Sequence, residues 1–482
     1  MNQNERTSFF PVLAALLLLL SASAMWWPAL RTPLWGDDYV FLHAARVTNA
    51  LGAPWWSDFW PTSPPRFWRP LSQEGYWRWV DAFLGGRSRA VHGVSLGLHA
   101  LATLAVALFA FRLARACQWQ RSLTVAALSG AVHGTLTMHL LPVHWASAAN
   151  NALLTLFTML LMSAWAATIH MSGRRRYMLY ASLPIWLGLA LLSKESAALS
   201  PALMVLVRLF VSTRLPDRHE IVAWAACVCV VLVWLLLRER FTENTDASYA
   251  MGLGGHVFRN AAAFGAWMLN VPREALRMAV EGERLRGAAW IAATSLPMLT
   301  AWCIAVWRGH LLLRKWQWLC ITAFAVTAYA PYFLFAWNSY EYYAAIAVIL
   351  PVIALARCLA RSRAALLVAG LISASSWIAV EGTRQLEHPG LIGRAHEAET
   401  LLLALQMQGV SGPFNVSVVD SQRFYAIGQM GLAWRLGLSP EQIQVGGDCP
   451  AIGHCLEFSL DGRWRWRPDP SETGIAVPPA AL

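Results

Sequence analysis

Eleven apolar runs, with every second gap between them rich in arginine, constrain this chain more than any other feature of it. They fall near residues 9–30, 90–111, 122–142, 145–169, 177–192, 196–211, 221–237, 288–307, 316–336, 342–356 and 364–380. Several reach the roughly 18 residues a helix needs to cross the hydrocarbon of a bilayer. Only 13% of the residues are charged and 57% are hydrophobic. A soluble domain carries about 25% charged residues, so a string of soluble domains is excluded. Tryptophan gathers near the run ends, at Trp26, Trp27, Trp55, Trp56, Trp145, Trp316 and Trp318, where interfacial aromatic belts sit.

The arginines give an orientation. With the N-terminus in the cytoplasm, every second turn is an inner loop. Those loops hold Arg112, Arg115 and Arg121; Arg174, Arg175 and Arg176; Arg208, Arg214 and Arg218; Arg308, Arg314 and Lys315; and Arg357, Arg361 and Arg363. The short outer loops carry far fewer. The segment 256–280 is only half apolar, and counting it as a crossing would invert every later loop. It is expected to form interfacial helices on the outer surface. The net charge of +11 is then explained by topology and anionic headgroups. No basic helix with interleaved aromatics stands apart from the spans, so membrane lipids are expected partners and nucleic acid is not.

The expected fold is an all-α polytopic membrane protein of about eleven spans. Its membrane domain covers 1–380, with a first periplasmic loop at 31–89 and an interfacial segment at 238–287. A periplasmic C-terminal region follows at 381–482. There PFNVSVVD at 413–420 alternates like a strand, and a small α+β tail is expected. Cys449 and Cys455 lie close together in that tail, and an oxidising compartment would bridge them. Cys227, Cys229, Cys303 and Cys320 sit in apolar runs and pack as small hydrophobes. SASA at 21–24 resembles a signal-peptidase site, but the first run continues to Leu30, which suits an uncleaved anchor.

Six segments on the outer side carry chemistry. Asp37 and Asp38 stand side by side after the first run. Adjacent carboxylates repel, so one should bind its proton more tightly and serve as a general base. A helix cap is the plainer reading. Arg66 and Arg69 lie in an aromatic, proline-rich loop, where guanidinium forks suit phosphate and snorkelling to headgroups is the alternative. His92, Ser95 and His99 share one helical face. His144 opens a helix with Asn151 seven residues on. Lys194 and Glu195 occupy a turn between two apolar runs with almost no loop. A charged pair there is costly unless it is used or neutralised; a lipid-linked phosphate and a structural ion pair are the two readings. Glu341 stands among Tyr340, Tyr342 and Tyr343 at another outer helix end.

In order and sidedness these segments resemble the membrane glycosyltransferases of the GT-C fold, especially protein O-mannosyltransferases and the transmembrane O-mannosyltransferases with tetratricopeptide tails. The resemblance rests on Asp37 and Asp38, on Trp68-Arg69-Pro70-Leu71, on the spaced His92 and His99, on Leu141-Pro142-Val143-His144 and on Ser193-Lys194-Glu195. It covers residues 30–210 well and 211–380 mainly through topology. Leu141 replaces a usual histidine, Asn150 and Asn151 replace an arginine and an acid, and no tetratricopeptide repeats follow. The resemblance implies a bacterial inner-membrane enzyme with a polyprenyl-phosphate sugar donor. Asp37 or Asp38 would take the acceptor's proton as the sugar transfers with inversion. Lys194, Arg69 and Glu195 would bind the donor phosphate. His144, Asn151, His92, His99, Tyr340 and Glu341 would shape the sugar and acceptor pocket. No metal is obligatory if protein cations supply the charge, with Mg²⁺ at Asp37 and Asp38 as the alternative. A transporter or flippase, an O-antigen ligase or polymerase, and an inactive scaffold are the competing readings. A flippase would place charges deep in its spans, whereas here they sit at span ends.

Overall fold

The computed structural model describes residues 20, 24–61, 65, 67–242, 249–336, 339–360, 365–384, 391–419, 421–450, 453–459 and 464–469. The first apolar run with its SASA segment lies largely outside these residues, as do Arg66, Arg361 and Arg363. The fold is mostly helical. Among the described residues five helices are long and apolar enough to cross a membrane: Ser88–Ala116, Ala146–Thr168, Arg218–Phe241, Arg284–Arg308 and Ala365–Thr383.

The helices run, in chain order, as α1 (Asp37–Ala50), α2 (Ser88–Ala116), α3 (Ser122–Thr135), α4 (Leu140–His144), α5 (Ala149–Thr168), α6 (Arg174–Leu191), α7 (Ser200–Val211) and α8 (Arg218–Phe241). Then come α9 (Gly255–Met268), α10 (Arg273–Glu281), α11 (Arg284–Leu312), α12 (Lys315–Phe333), α13 (Ile349–Leu359) and α14 (Ala365–Arg384). Residues 256–280 form two short helices, α9 and α10, instead of one long rod. Asn270 between them has a positive φ of 67°.

The run expected as one span at 122–142 is broken at Leu136, where the backbone is extended. Breaking a helix frees backbone groups that must find partners. Asn270 supplies them: its Oδ1 accepts the Thr137 N–H at 2.8 Å and its carbonyl accepts the Thr137 hydroxyl at 3.1 Å. The short helices α7 and α13 are likewise preceded by 3₁₀ turns, Glu195–Leu199 and Glu341–Ala344. In lipid such irregular backbone is tolerated where protein buries it or it lines a cavity. Here all three breaks occur at the same end of the bundle.

Cross-contacts fix the two ends. At one end the Arg121 guanidinium donates to the Ala360 carbonyl at 3.0 Å, and Trp316 donates to the Leu209 carbonyl at 2.9 Å. These are the arginine-rich turns. Arg208 there pairs with Glu220 at 2.9 Å. At the opposite end the loop before α2 docks on the turn after α6: the Leu71 N–H donates to the Leu192 carbonyl at 3.1 Å, and the Ser72 hydroxyl to the Ser193 carbonyl at 2.6 Å.

The C-terminal unit has its own core. It contains α15 (Leu391–Met407), β1 (Phe414–Val418), α16 (Ser421–Leu436), β2 (Ile443–Gly446), β3 (Cys455–Phe458) and β4 (Trp464–Arg467). The sheet order is β2-β1-β3-β4, with β1 parallel to both neighbours and β4 antiparallel to β3. Alternation puts Phe414 and Val416 on one face, buried with Leu402, Leu405, Ile427 and Leu432 of the two helices. A disulfide joins Cys449 to Cys455. Helix α16 kinks at Gly428, whose φ is 60°.

Candidate functional site

Helix α1 starts at the bundle end away from the arginine-rich turns, directly after Gly36. Asp37 and Asp38 fill its first turn, where the helix dipole favours negative charge. Asp38 is fully buried. Its Oδ2 accepts the Trp35 N–H at 3.1 Å, and its Oδ1 accepts both the N–H and the hydroxyl of Ser147, at 2.7 and 2.6 Å. Burial pushes its pKa up to about 7 against those hydrogen bonds, and the neighbouring Asp37 charge contributes least. The proton affinity expected from two repelling acids therefore arises mainly from desolvation. Asp38 also staples α1 to the segment leading into α5. Asp37 is only half-buried, and its charge acts on the Tyr425 phenol.

Lys194 lies in the extended turn after α6 and is 6% exposed. Its sequence neighbour Glu195 is engaged elsewhere: the Arg69 guanidinium grips it with two bonds, Nε to Oε1 at 2.9 Å and Nη2 to Oε2 at 2.8 Å. Burial opposes charge on both partners, but each holds the other ionised. The Arg69 pKa lies above its ordinary value and the Glu195 pKa below. Among the described residues Lys194 makes no salt bridge. Its ammonium donates to the Asn151 side-chain carbonyl and lies 4.9 Å from the Tyr343 ring centre and 5.2 Å from that of Tyr342. Burial, with repulsion from Arg69 added, pushes its pKa down to about 7, and Glu195 offsets this only in part. The sequence left phosphate binding and a structural ion pair open for Lys194 and Glu195. The ion pair forms, but between Glu195 and Arg69, and Lys194 remains a desolvated cation without an acid.

A narrow pocket adjoins this lysine. It is lined by Asn151, Thr155, Ser196, Tyr332, Tyr342 and Tyr343, together with apolar neighbours, and has room for about one water molecule. Tyr332 and Tyr343 stack with ring centres 4.2 Å apart. Glu341 begins the turn that carries the tyrosines. It is 5% exposed, and its Oε2 has no hydrogen-bond partner among the described residues. Burial pushes its pKa up to about 7 against the nearby Arg273 charge. The Arg273 guanidinium lies 4.6 Å from the Tyr340 ring centre.

The histidines are placed differently. His144 is buried, and its Nδ1 meets the Leu140 carbonyl at 2.9 Å within its own short helix. Trp35 donates to the His144 carbonyl at 3.4 Å and stacks on Trp145 at 5.2 Å. His92 and His99 do share a buried face of α2. His92 lies by the carbonyls of Pro33 and Val143. His99 meets the Gly134 carbonyl at 3.0 Å and packs 4.7 Å from His139, which lies 4.6 Å from His133. His99, His133 and His139 fill the seam between α2 and α3, and neither they nor His92 and His144 line the pocket.

Contacts and short stretches of chain connect four of the expected residues: Asp38 meets Ser147, four residues before Asn151; Asn151 meets Lys194; and Lys194 lies by Tyr342 and Tyr343, which directly follow Glu341. Sequence reasoning missed Ser147, Arg273 and Tyr425. Ser147 and Tyr425 carry no local signal, because their partners lie far away in the chain. Arg273 lies inside the segment read only for its topology. No protein-family model, curated protein or solved structure matches the chain.

Proposed function

We propose that the chain is a GT-C-type membrane glycosyltransferase that moves a sugar from a polyprenyl-phosphate donor to an acceptor hydroxyl. The observation that carries this reading is Lys194: a buried cation deprived of its neighbouring carboxylate, at the same bundle end as a half-buried aspartate. A buried ammonium without an acid is costly, and an incoming phosphate relieves that cost with a charge-assisted bond.

In the proposed reaction the acceptor oxygen attacks the anomeric carbon and the carbon–oxygen bond to phosphate breaks, with inversion at that carbon. The acceptor's proton passes to Asp37, and the leaving phosphate takes the electron pair as its new charge falls beside Lys194. Asp38, with both oxygens engaged, serves as the staple that holds α1. Arg69 and Glu195 lock the first loop onto the turn. Their mutual pairing also keeps Glu195 from neutralising Lys194. Asn151 and the tyrosines orient the ammonium. Glu341, with Tyr340 beside it, offers an acceptor oxygen to sugar hydroxyls. A cation such as Mg²⁺ at Asp37 and Asp38 would have to displace donors from Asp38.

The reading takes the membrane arrangement to have eleven spans: the first apolar run, counted from its sequence alone, and α2, α3, α5, α6, α7, α8, α11, α12, α13 and α14. The arginine-rich end faces the cytoplasm of a bacterial inner membrane, and the site end and C-terminal unit face the periplasm. The Cys449–Cys455 disulfide suits that oxidising compartment. Trp55, Trp56 and Trp60 are exposed near the end of α8, where Trp60 meets Phe241 at 6.0 Å. That is the pattern of an interfacial belt.

The test is donor binding to the purified protein. Wild type is expected to bind a polyprenyl-phosphate sugar, and Lys194→Met, similar in length, to bind it at least about tenfold more weakly. Equal binding by both would remove Lys194 from the phosphate site.

A further inference from the structure

Tyr425 belongs to α16 of the C-terminal unit, yet it reaches the turn that presents Asp37. The Gly36 N–H donates to the Ala426 carbonyl at 2.8 Å. The Tyr425 ring meets Trp35 edge-on, with centres 6.5 Å apart. Its Cε1 lies 3.1 Å from where a Cβ on Gly36 would stand, and Gly36 has a φ of +57°. Glycine is thus required there for space and for backbone conformation. The phenol is near enough to the Asp37 side chain, and to Tyr340, for both to act on it electrostatically. The ring is 41% exposed, so it forms a rim rather than part of a core.

The unit does not depend on this residue for docking. Arg435 bridges Glu399 at 2.5 Å and reaches the Tyr39 hydroxyl at 3.4 Å. The Arg46 guanidinium lies 3.2 Å from the Trp434 ring centre. A phenol spent only on holding the unit in place would be redundant beside these contacts.

We propose that the C-terminal unit completes the site, and that Tyr425 is the positioning residue that holds the Asp37 carboxylate for proton transfer. This rests on the reading of Asp37 as the base. A carboxylate offers about four lone-pair sites. Tyr425 takes one and aims the carboxylate at the acceptor hydroxyl. Tyr425 keeps its proton throughout, because burial and the Asp37 charge both push its pKa well above the ordinary value. A base held in place by a second group is more effective than a freely rotating one.

Two readouts on the full-length protein test this. In the first, a fluorinated tyrosine that ionises near neutral pH is placed at position 425 and titrated by fluorine NMR. Its phenol is expected to ionise at higher pH in otherwise wild-type protein than in Asp37→Asn. Identical titrations would show that no such bond exists and overturn the proposal. In the second, Tyr425→Phe is expected to lower kcat about tenfold, leaving acceptor KM within about twofold and thermal stability unchanged. An unchanged or raised kcat, or a change in KM alone, would overturn it. Were wild type to transfer no sugar, the base reading would fail and this role for Tyr425 with it. The titration would still report the contact, so the two failures are distinguishable.

Discussion

Both carboxylate oxygens of Asp38 already hold donors from Trp35 and Ser147, whereas Asp37 stands half-buried at the opening. In the proposed reading Asp38 serves structure and Asp37 serves chemistry. Asp38→Ala is expected to lower stability by about 1–3 kcal/mol, because it leaves buried donors unsatisfied; thermal unfolding in detergent measures this. At Lys194 the lowered pKa, about 7, sets a pH dependence. In the proposed reading the ammonium binds phosphate, and it is present below pH 7 and lost above. A sugar phosphodiester keeps its single charge through this range. Donor affinity is therefore expected to fall as pH rises past about 7, by up to about tenfold per pH unit, and the fall should vanish in Lys194→Met. Calorimetric titration at several pH values checks both. The charged residues themselves were legible in the sequence, because acids and a lysine between apolar runs stand out. Their partners were not: Arg69 lies 126 residues from Glu195 and Ser147 lies 109 from Asp38, and such pairings exist only once the chain has folded.

The turn after α6 depends on the Arg69–Glu195 pair, whose side chains are 13% and 23% exposed. Removing either partner strands a charge, which is expected to cost about 2–3 kcal/mol. Removing both should cost less than the sum of the two single losses. A double-mutant cycle on thermal stability measures the coupling; additive losses would show that the pair is not interacting. Glu195 freed by Arg69→Ala would also turn to Lys194 and weaken donor binding. Helix positions were legible at the level of apolar runs, and the strand at 413–420 forms as Phe414–Val418. The breaks were not. The run at 122–142 looks continuous, and only Asn270, from a distant segment, makes the interruption at Leu136 affordable in hydrogen bonds. Two of the expected pocket histidines, His92 and His99, share a helical face as their spacing required. Spacing could not tell that His99 meets α3, and His92 meets Pro33 and Val143, rather than the pocket.

Across the molecule, the arginine-rich turns meet one another at one end and the candidate site assembles at the other. In an eleven-span arrangement a single cysteine introduced at Gly173, with native thiols removed, should be labelled only from the cytoplasm. One at Gly52 should be labelled from the periplasm. Labelling of both from one side would contradict the topology. The account's central claim is most directly tested by sugar transfer from a radiolabelled polyprenyl-phosphate donor in membranes, comparing wild type, Asp37→Asn and Asp38→Asn at matched expression. The account predicts transfer by wild type, loss of about 100-fold or more in Asp37→Asn with the fold intact, and a smaller loss in Asp38→Asn that tracks its stability. Full activity in Asp37→Asn, or no transfer by wild type to any of a range of acceptors, would contradict it.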